Sequence, residues 1–108
     1  MPVYEYNNFA YLTPANTSEA TLLTLASGEE LINAEVVITN KSAGDLTFRV
    51  GIGTGASPSI YYAYDMPLLA NLYQRIVIAG LGSQNKIFVK SSSGNNIDFS
   101  VSGLKKTK

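Results

Sequence analysis

The side chains able to act as general acids or bases are few in kind. The carboxylates are Glu5, Glu19, Glu29, Glu30, Glu35, Asp45, Asp65 and Asp98; there is no His and no Cys. Those two absences remove imidazole bases, thiolate nucleophiles, disulfides and the commonest transition-metal ligands together. Carboxylates alone could serve glycoside hydrolysis, which needs two of them facing across a cleft. Glu29 and Glu30 are adjacent in a turn, where both would be solvated, and Asp65 and Asp98 fall on outward positions of predicted strands. The sequence therefore predicts no catalytic residue, no metal site and no cofactor, and reads as a non-enzyme.

Two other patterns suggest ligand chemistry. Gly51-Ile52-Gly53-Thr54-Gly55 has the spacing of a phosphate-cradling loop, but such loops work by delivering the chain into a helix N-terminus. Here Pro58 and a tyrosine-rich strand follow, so a flexible strand connection is predicted. Tyr61, Tyr62 and Tyr64 crowd one segment, and aromatic rings on a sheet face can stack sugars. Alternation puts Ile60, Tyr62 and Tyr64 on the core face and leaves Tyr61 outside, where a carbohydrate-binding module would need it. Asn16-Thr17-Ser18 and Asn40-Lys41-Ser42 match the glycosylation pattern, but Met-Pro-Val-Tyr-Glu-Tyr has no basic-then-apolar leader to give it meaning.

The elements that would position these groups are strands. Leu46, Phe48, Val50 and Ile52 alternate with Thr47, Arg49 and Gly51. Ile32, Ala34, Val36 and Ile38 alternate with Asn33, Glu35 and Thr39; Ile76 and Ile78 lie opposite Arg75 and Val77. Ile87 and Val89 oppose Lys86, Phe88 and Lys90, and Ile97, Phe99 and Val101 oppose Asp98, Ser100 and Ser102. Turn residues separate the runs at intervals of about 10 to 13 residues, the rhythm of an antiparallel sandwich or barrel. A helix over Ser18–Leu25 is the one rival, and Thr21 and Thr24 weigh against it. The prediction is a single all-β domain, an antiparallel β-sandwich of about eight strands, jelly-roll-like or immunoglobulin-like. Its body spans residues 13–104; residues 1–12 form an aromatic edge strand or arm, and residues 105–108 a basic tail.

Several outward positions are more apolar than a solitary domain needs. Val37, Tyr61, Tyr73, Val77 and Phe88 lie there, with Phe88 flanked by Lys86 and Lys90 like an interface residue inside a polar rim. Tyr4, Tyr6, Phe9 and Tyr11 stud the N-terminal segment, and Lys105 and Lys106 the tail. These residues, Val77 apart, form the predicted partner interface. Eight basic and eight acidic groups give zero net charge, and charged residues make up only 15% of the chain. Neither nucleic acid nor a membrane surface is thus an expected partner, and no apolar run approaches the roughly 20 residues of a membrane helix. A soluble protein made in a cytosol is expected.

From Thr13 onward the sequence resembles a group of small structural proteins of tailed-bacteriophage virions. The resemblance rests on Pro14-Ala15-Asn16-Thr17, Val36-Val37-Ile38-Thr39-Asn40-Lys41-Ser42 and Thr47-Phe48-Arg49-Val50. It continues through Tyr64-Asp65-Met66-Pro67-Leu68, Ala70-Asn71, Leu81-Gly82, Ile87-Phe88-Val89 and Phe99-Ser100-Val101-Ser102-Gly103. It implies a sandwich carried on the particle as a head-decoration (cement), neck or tail accessory subunit, with no catalytic motif. The implied location is the virion, after synthesis in the host cytoplasm. The implied partners are other virion proteins and copies of itself, a closed ring such as a trimer among the options. Val3–Tyr11 lies outside the resemblance, so partner specificity is expected there.

Overall fold

Short alternating runs cut by Gly, Asn and Ser give a helix no apolar stripe to bury, and every regular element in the computed structural model, which describes Met1–Lys108, is a strand. The strands are β1 (Val3–Leu12), β2 (Ala20–Thr24), β3 (Glu29–Asn40), β4 (Leu46–Gly53), β5 (Ile60–Leu68), β6 (Tyr73–Leu81), β7 (Lys86–Ser91) and β8 (Ile97–Thr107). They form two antiparallel four-stranded sheets, ordered β1-β8-β3-β6 and β2-β7-β4-β5. The chain pairs β4 with β5, β3 with β6, β2 with β7 and β1 with β8, the pairs falling alternately in one sheet and the other. It is one long antiparallel ribbon, doubled back at residues 54–59 and rolled up. That connectivity is a jelly roll; an immunoglobulin-type sandwich distributes its strands differently.

The inner faces meet in a core led by Phe48, Phe99, Leu31, Ile38, Ile78 and Ile87, all essentially inaccessible. Burying each such side chain stabilises the fold by about 1.5–3 kcal/mol. Two buried polar residues stitch one end of the roll. Asn40 Nδ2 donates to the carbonyls of Gly44 and Leu68 at 2.9 and 3.0 Å, while its Oδ1 accepts from the backbone N–H and hydroxyl of Ser42. Ser91 exchanges hydrogen bonds with the backbone of Ser93. No buried side-chain polar atom is left unpaired.

Bulges in β3, β5 and β1 shift positions away from simple alternation. In β3, Asn33 adopts a left-handed conformation (φ 51°), and the four residues Ile32 to Glu35 oppose three of β8, Leu104 to Ser102. Leu31 therefore takes the buried place and Ile32 faces outward, correcting the expectation that Ile32 points to the core. Gly103 sits against this bulge; a Cβ there would lie 3.2 Å from the Ile32 carbonyl oxygen. In β5 the departure is larger. β4 advances four residues from Phe48 to Ile52 while β5 runs six, from Met66 back to Ile60. The surplus falls at Asp65, with φ 50°, and around Tyr62. Ala63 is the buried residue, and Ile60, Tyr62 and Tyr64 are exposed rather than packed on the core. In β1 the extra residue is Phe9, between Asn8↔Ser102 and Ala10↔Val101.

The ends of the chain are strands, not appendages. β8 continues through Lys105 and Lys106 to Thr107, hydrogen-bonded to β1 on one side and β3 on the other. Residues 105–106 are thus internal to a sheet, as part of β8 rather than a tail beyond it. Their partners explain it: Lys105 Nζ lies 3.3 Å from Glu29 Oε2 and 4.0 Å from Glu5 Oε1, and 5.0 Å from the centre of the Phe9 ring. The Ala26 N–H and then Lys105 hold the Glu29 carboxyl below its ordinary pKa.

Candidate assembly surface

The outer face of the β1-β8-β3-β6 sheet can be read row by row from its register. Outward residues line up as Tyr4–Lys106–Glu30, then Tyr6–Leu104–Ile32, then Asn8–Ser102–Glu35–Val77. The next rows are Tyr11–Ser100–Val37–Arg75 and Asp98–Thr39–Tyr73. The bulge at Phe9 brings odd-numbered Tyr11 onto the same face as Tyr4 and Tyr6. It turns Phe9 itself inward, where it packs half-buried against the core. Tyr6, Tyr11 and Tyr73 are 77, 82 and 66% exposed. Between them the floor is flat, because Ser100 and Ser102 are small and Val37, Ile32 and Leu104 are half-buried. Charges here are few and mutually compensated. Glu35 lies 3.9 Å from Arg75, and Lys41 is 3.1 Å from Asp98, which also accepts a hydrogen bond from the Thr13 hydroxyl. Burial pushes the Asp98 carboxyl up, but Thr13 and Lys41 outweigh it and hold the group below its ordinary value.

The outer face of the β2-β7-β4-β5 sheet is built differently. Arg49 makes a two-pronged pair with Asp65, Nε to Oδ1 at 2.8 Å and Nη2 to Oδ2 at 3.1 Å. Its guanidinium also stacks 3.9 Å over the Tyr64 ring. Tyr64 meets Tyr61 edge to face at 4.9 Å, and the Tyr61 hydroxyl donates to Glu19 Oε2 at 2.8 Å. These contacts raise the Arg49 and Tyr61 pKa values, through Asp65 and Glu19 respectively, and lower that of Asp65 through Arg49. To reach Glu19 beside β2, the Tyr61 side chain crosses the sheet above Gly51; a Cβ on Gly51 would lie 3.1 Å from the Tyr61 ring and 2.9 Å from Pro58.

That crossing corrects the reading of Phe88. Its position is outward, as the alternation implies, but it is only 4% exposed. Phe88 is paired with Gly51, over which Tyr61 and Pro58 lie. The residue is part of a small second layer, not an exposed hydrophobic knob. The sequence-predicted surface residues thus divide. Tyr4, Tyr6, Tyr11, Val37, Tyr73 and Lys106 share one face, Tyr61 is tied down on the other, and Phe9, Phe88 and Lys105 are drawn in. Ile32 and Leu104 belong to the first face; the Asn33 bulge hides Ile32 from simple alternation, while Leu104 continues the outward series Asp98, Ser100, Ser102.

No family model matches the sequence, and no curated protein matches it. Solved structures do. The coat protein of Tobacco streak virus superposes with a TM-score of 0.55 at 11% identity, over 99% of this chain and 86% of that one. The structure of that coat protein's dimer gives 0.56 at 11% identity, over 99% and 85%. A chain from the structure of infectious bursal disease virus, Gx strain, gives 0.51 at 18% identity over 98% of this chain. It covers 32% of that chain, so the present sequence spans about a third of it. What these likenesses share is the fold. The jelly roll derived from the strand pairing is the one on which these viral proteins are built.

Proposed function

We propose that this chain is a structural subunit of a virus particle that works by packing against neighbouring protein. The outer face of the β1-β8-β3-β6 sheet carries this reading: exposed Tyr4, Tyr6, Tyr11, Tyr73 and Val77 on a flat floor with compensated charges. Four exposed tyrosines gathered on one face suit contact with protein, since aromatic side chains are the commonest energetic centres of interfaces. The viral jelly-roll neighbours and the resemblance to tailed-phage accessory proteins support the same role. Within it, decoration or cementing of a phage head is the specific proposal. A subunit that binds only the assembled shell stabilises that shell by mass action. Zero net charge argues for contact with protein rather than with the genome.

The test is addition of the purified chain to phage heads that lack it. Saturable binding, with a rise in the temperature at which the heads open, is expected. Tyr11→Ala with Tyr73→Ala should reduce occupancy without lowering the subunit's own Tm. Labelling confined to the neck or tail would move the protein to those sites, and no binding to any part of the particle would overturn the reading. The carbohydrate-binding alternative relies on the tyrosines of the other face. It is disfavoured because the Tyr61 hydroxyl is spent on Glu19 and Arg49 covers a face of Tyr64. Saturable glycan binding abolished by Tyr61→Ala would restore it.

A further inference from the structure

The four sheet edges are not equally protected against pairing with another chain. β2 is only five residues long and bulged between Thr21 and Leu23. β5 is broken by two bulges, the left-handed Asp65 and Pro67. Bulges, short length and proline are the usual defences of an exposed edge. β6 also has no register shift and no proline, but it differs from β1 in being anchored on its inner face by Ile76, Ile78 and Leu81 and in carrying Arg75. β1 has none of these defences along its first six residues. Val3–Asn8 pairs residue for residue with β8, contains no proline and carries one charge, Glu5. It is also exposed on both faces, because the opposing β2 is half the length of β1 and leaves this stretch uncovered. A strand bare on two faces and one edge is ordered at full conformational cost with little burial in return.

Directly opposed residues of an antiparallel pair must point to the same face. In Val3–Asn8 the even-numbered side chains point outward and the odd-numbered ones inward. If β1 pairs with β1 of a second copy about a two-fold axis, the axis must therefore pass through a residue. Centring on Glu5 sets two carboxylates against each other, which is destabilising. Centring on Asn7 drives Glu5 onto the Phe9 bulge. Centring on Tyr6 places Tyr6 against Tyr6 of the second copy, Glu5 against an Asn7 amide and Tyr4 against Asn8, and only the terminal, apolar Val3 reaches the Phe9 bulge. Amide and carboxylate at these positions are already compatible, since Asn7 Nδ2 lies 3.4 Å from Glu5 Oε2 within one copy. Pairing β1 with the β6 edge of a second copy would instead bring Glu5 and Asn7 alongside Ile76 and Ile78. That is a polar-to-apolar mismatch.

We propose that two copies of this chain associate through antiparallel pairing of their β1 strands centred on Tyr6, joining the two β1-β8-β3-β6 sheets into one continuous eight-stranded sheet. The inference deepens the assembly reading above and rests on it for its purpose: it supplies the dimeric unit that would meet the particle. The chain contains no cysteine, so single-cysteine variants report proximity cleanly.

The experiment is sedimentation of the full chain, with mild oxidation of Tyr6→Cys and, as the control on the far edge of the same sheet, Tyr73→Cys. A dimer is expected for the wild type, and a covalent dimer for Tyr6→Cys but not Tyr73→Cys, since opposed cross-strand positions come within disulfide reach. Tyr6→Lys sets like charges across the axis and should weaken the dimer about tenfold or more, and mixing it with Tyr6→Glu should restore association. Circular dichroism should be unchanged in all of them, because Tyr6 is 77% exposed. A wild-type monomer at every concentration would overturn the proposal. So would a dimer indifferent to Tyr6→Lys, or equal cross-linking at positions 6 and 73. Head binding is measured separately: a monomer that still coats heads overturns only the dimer, and a dimer that binds no viral component supports the pairing while sinking the particle role.

Discussion

The two outward faces of this jelly roll carry similar amounts of tyrosine and use it in opposite ways. On the β2-β7-β4-β5 sheet the rings and charges satisfy one another: Tyr61 reaches Glu19, Tyr64 takes Arg49, Arg49 holds Asp65, and Phe88 lies beneath the Tyr61 crossing. On the β1-β8-β3-β6 sheet the tyrosines stand apart on a floor of serine and half-buried aliphatic residues. The first arrangement pairs its polar groups within one chain, although Ile60, Tyr62 and Tyr64 stay exposed. The second leaves its rings open to solvent. Composition does not separate the two; what neighbours each ring does.

The sharpest way to break the comparison is to remove one outward aromatic from each face. Phe88→Ala should cost about 3–5 kcal/mol, as for a core phenylalanine, whereas Tyr73→Ala should change stability by no more than about 0.5 kcal/mol. Denaturant melts of the two variants check this, and equal losses would erase the distinction. A smaller effect separates two glycines. Gly51→Val must push into the Ile60 carbonyl, 2.9 Å from a Cβ there, and into Pro58. It should cost about 1–3 kcal/mol by overpacking, and free Phe88 to solvent. Gly80, on the other sheet, has nothing within 4 Å of a built Cβ. Gly80→Ala should be neutral or stabilise by up to about 1 kcal/mol through reduced unfolded-state freedom.

The smallest effects are titrations, and Asp98 and Tyr61 respond at opposite ends of the pH scale. The Asp98 pKa is lowered on folding, so its contribution is present above the ordinary carboxylate range and lost as pH falls through the lowered value. Asp98→Asn should flatten the acid limb of the stability curve. The Tyr61 pKa is raised, so its hydrogen bond contributes below the ordinary tyrosine range and is lost as pH climbs through the raised value. Among the seven tyrosines, Tyr61 should ionise late. Tyr61→Phe should remove that late step from the tyrosinate absorbance titration while leaving the Asp98 limb untouched.

Much of this was legible in the sequence wherever the period of two runs unbroken. Phe48 and Val50, Ile87 and Val89, and Phe99 and Val101 declare their faces by alternation alone, and all are buried. Alternation is silent about an inserted residue. Asn33 and Asp65 are types that tolerate the left-handed conformation, yet nothing local distinguishes them from the other Asn and Asp residues of the chain. One extra residue there was enough to turn Ile32 outward and to expose Tyr62 and Tyr64. Phe88 is buried on an outward position for another reason. Its cover comes from Tyr61, 27 positions earlier, across a strand whose Gly51 happens to leave room. The rows of the open face likewise depend on which strands are neighbours, and only the folded topology supplies that.

The nested pairing also has a bearing on how the protein is made. β4 and β5 are close in sequence and can find each other early, while Val3 must meet Thr107 from the opposite end of the chain. Loop closure favours the inner hairpin first, so the ribbon is expected to close from its middle outward, with the N-terminal strand docking last. The unguarded β1 edge would then come into being only on a finished subunit.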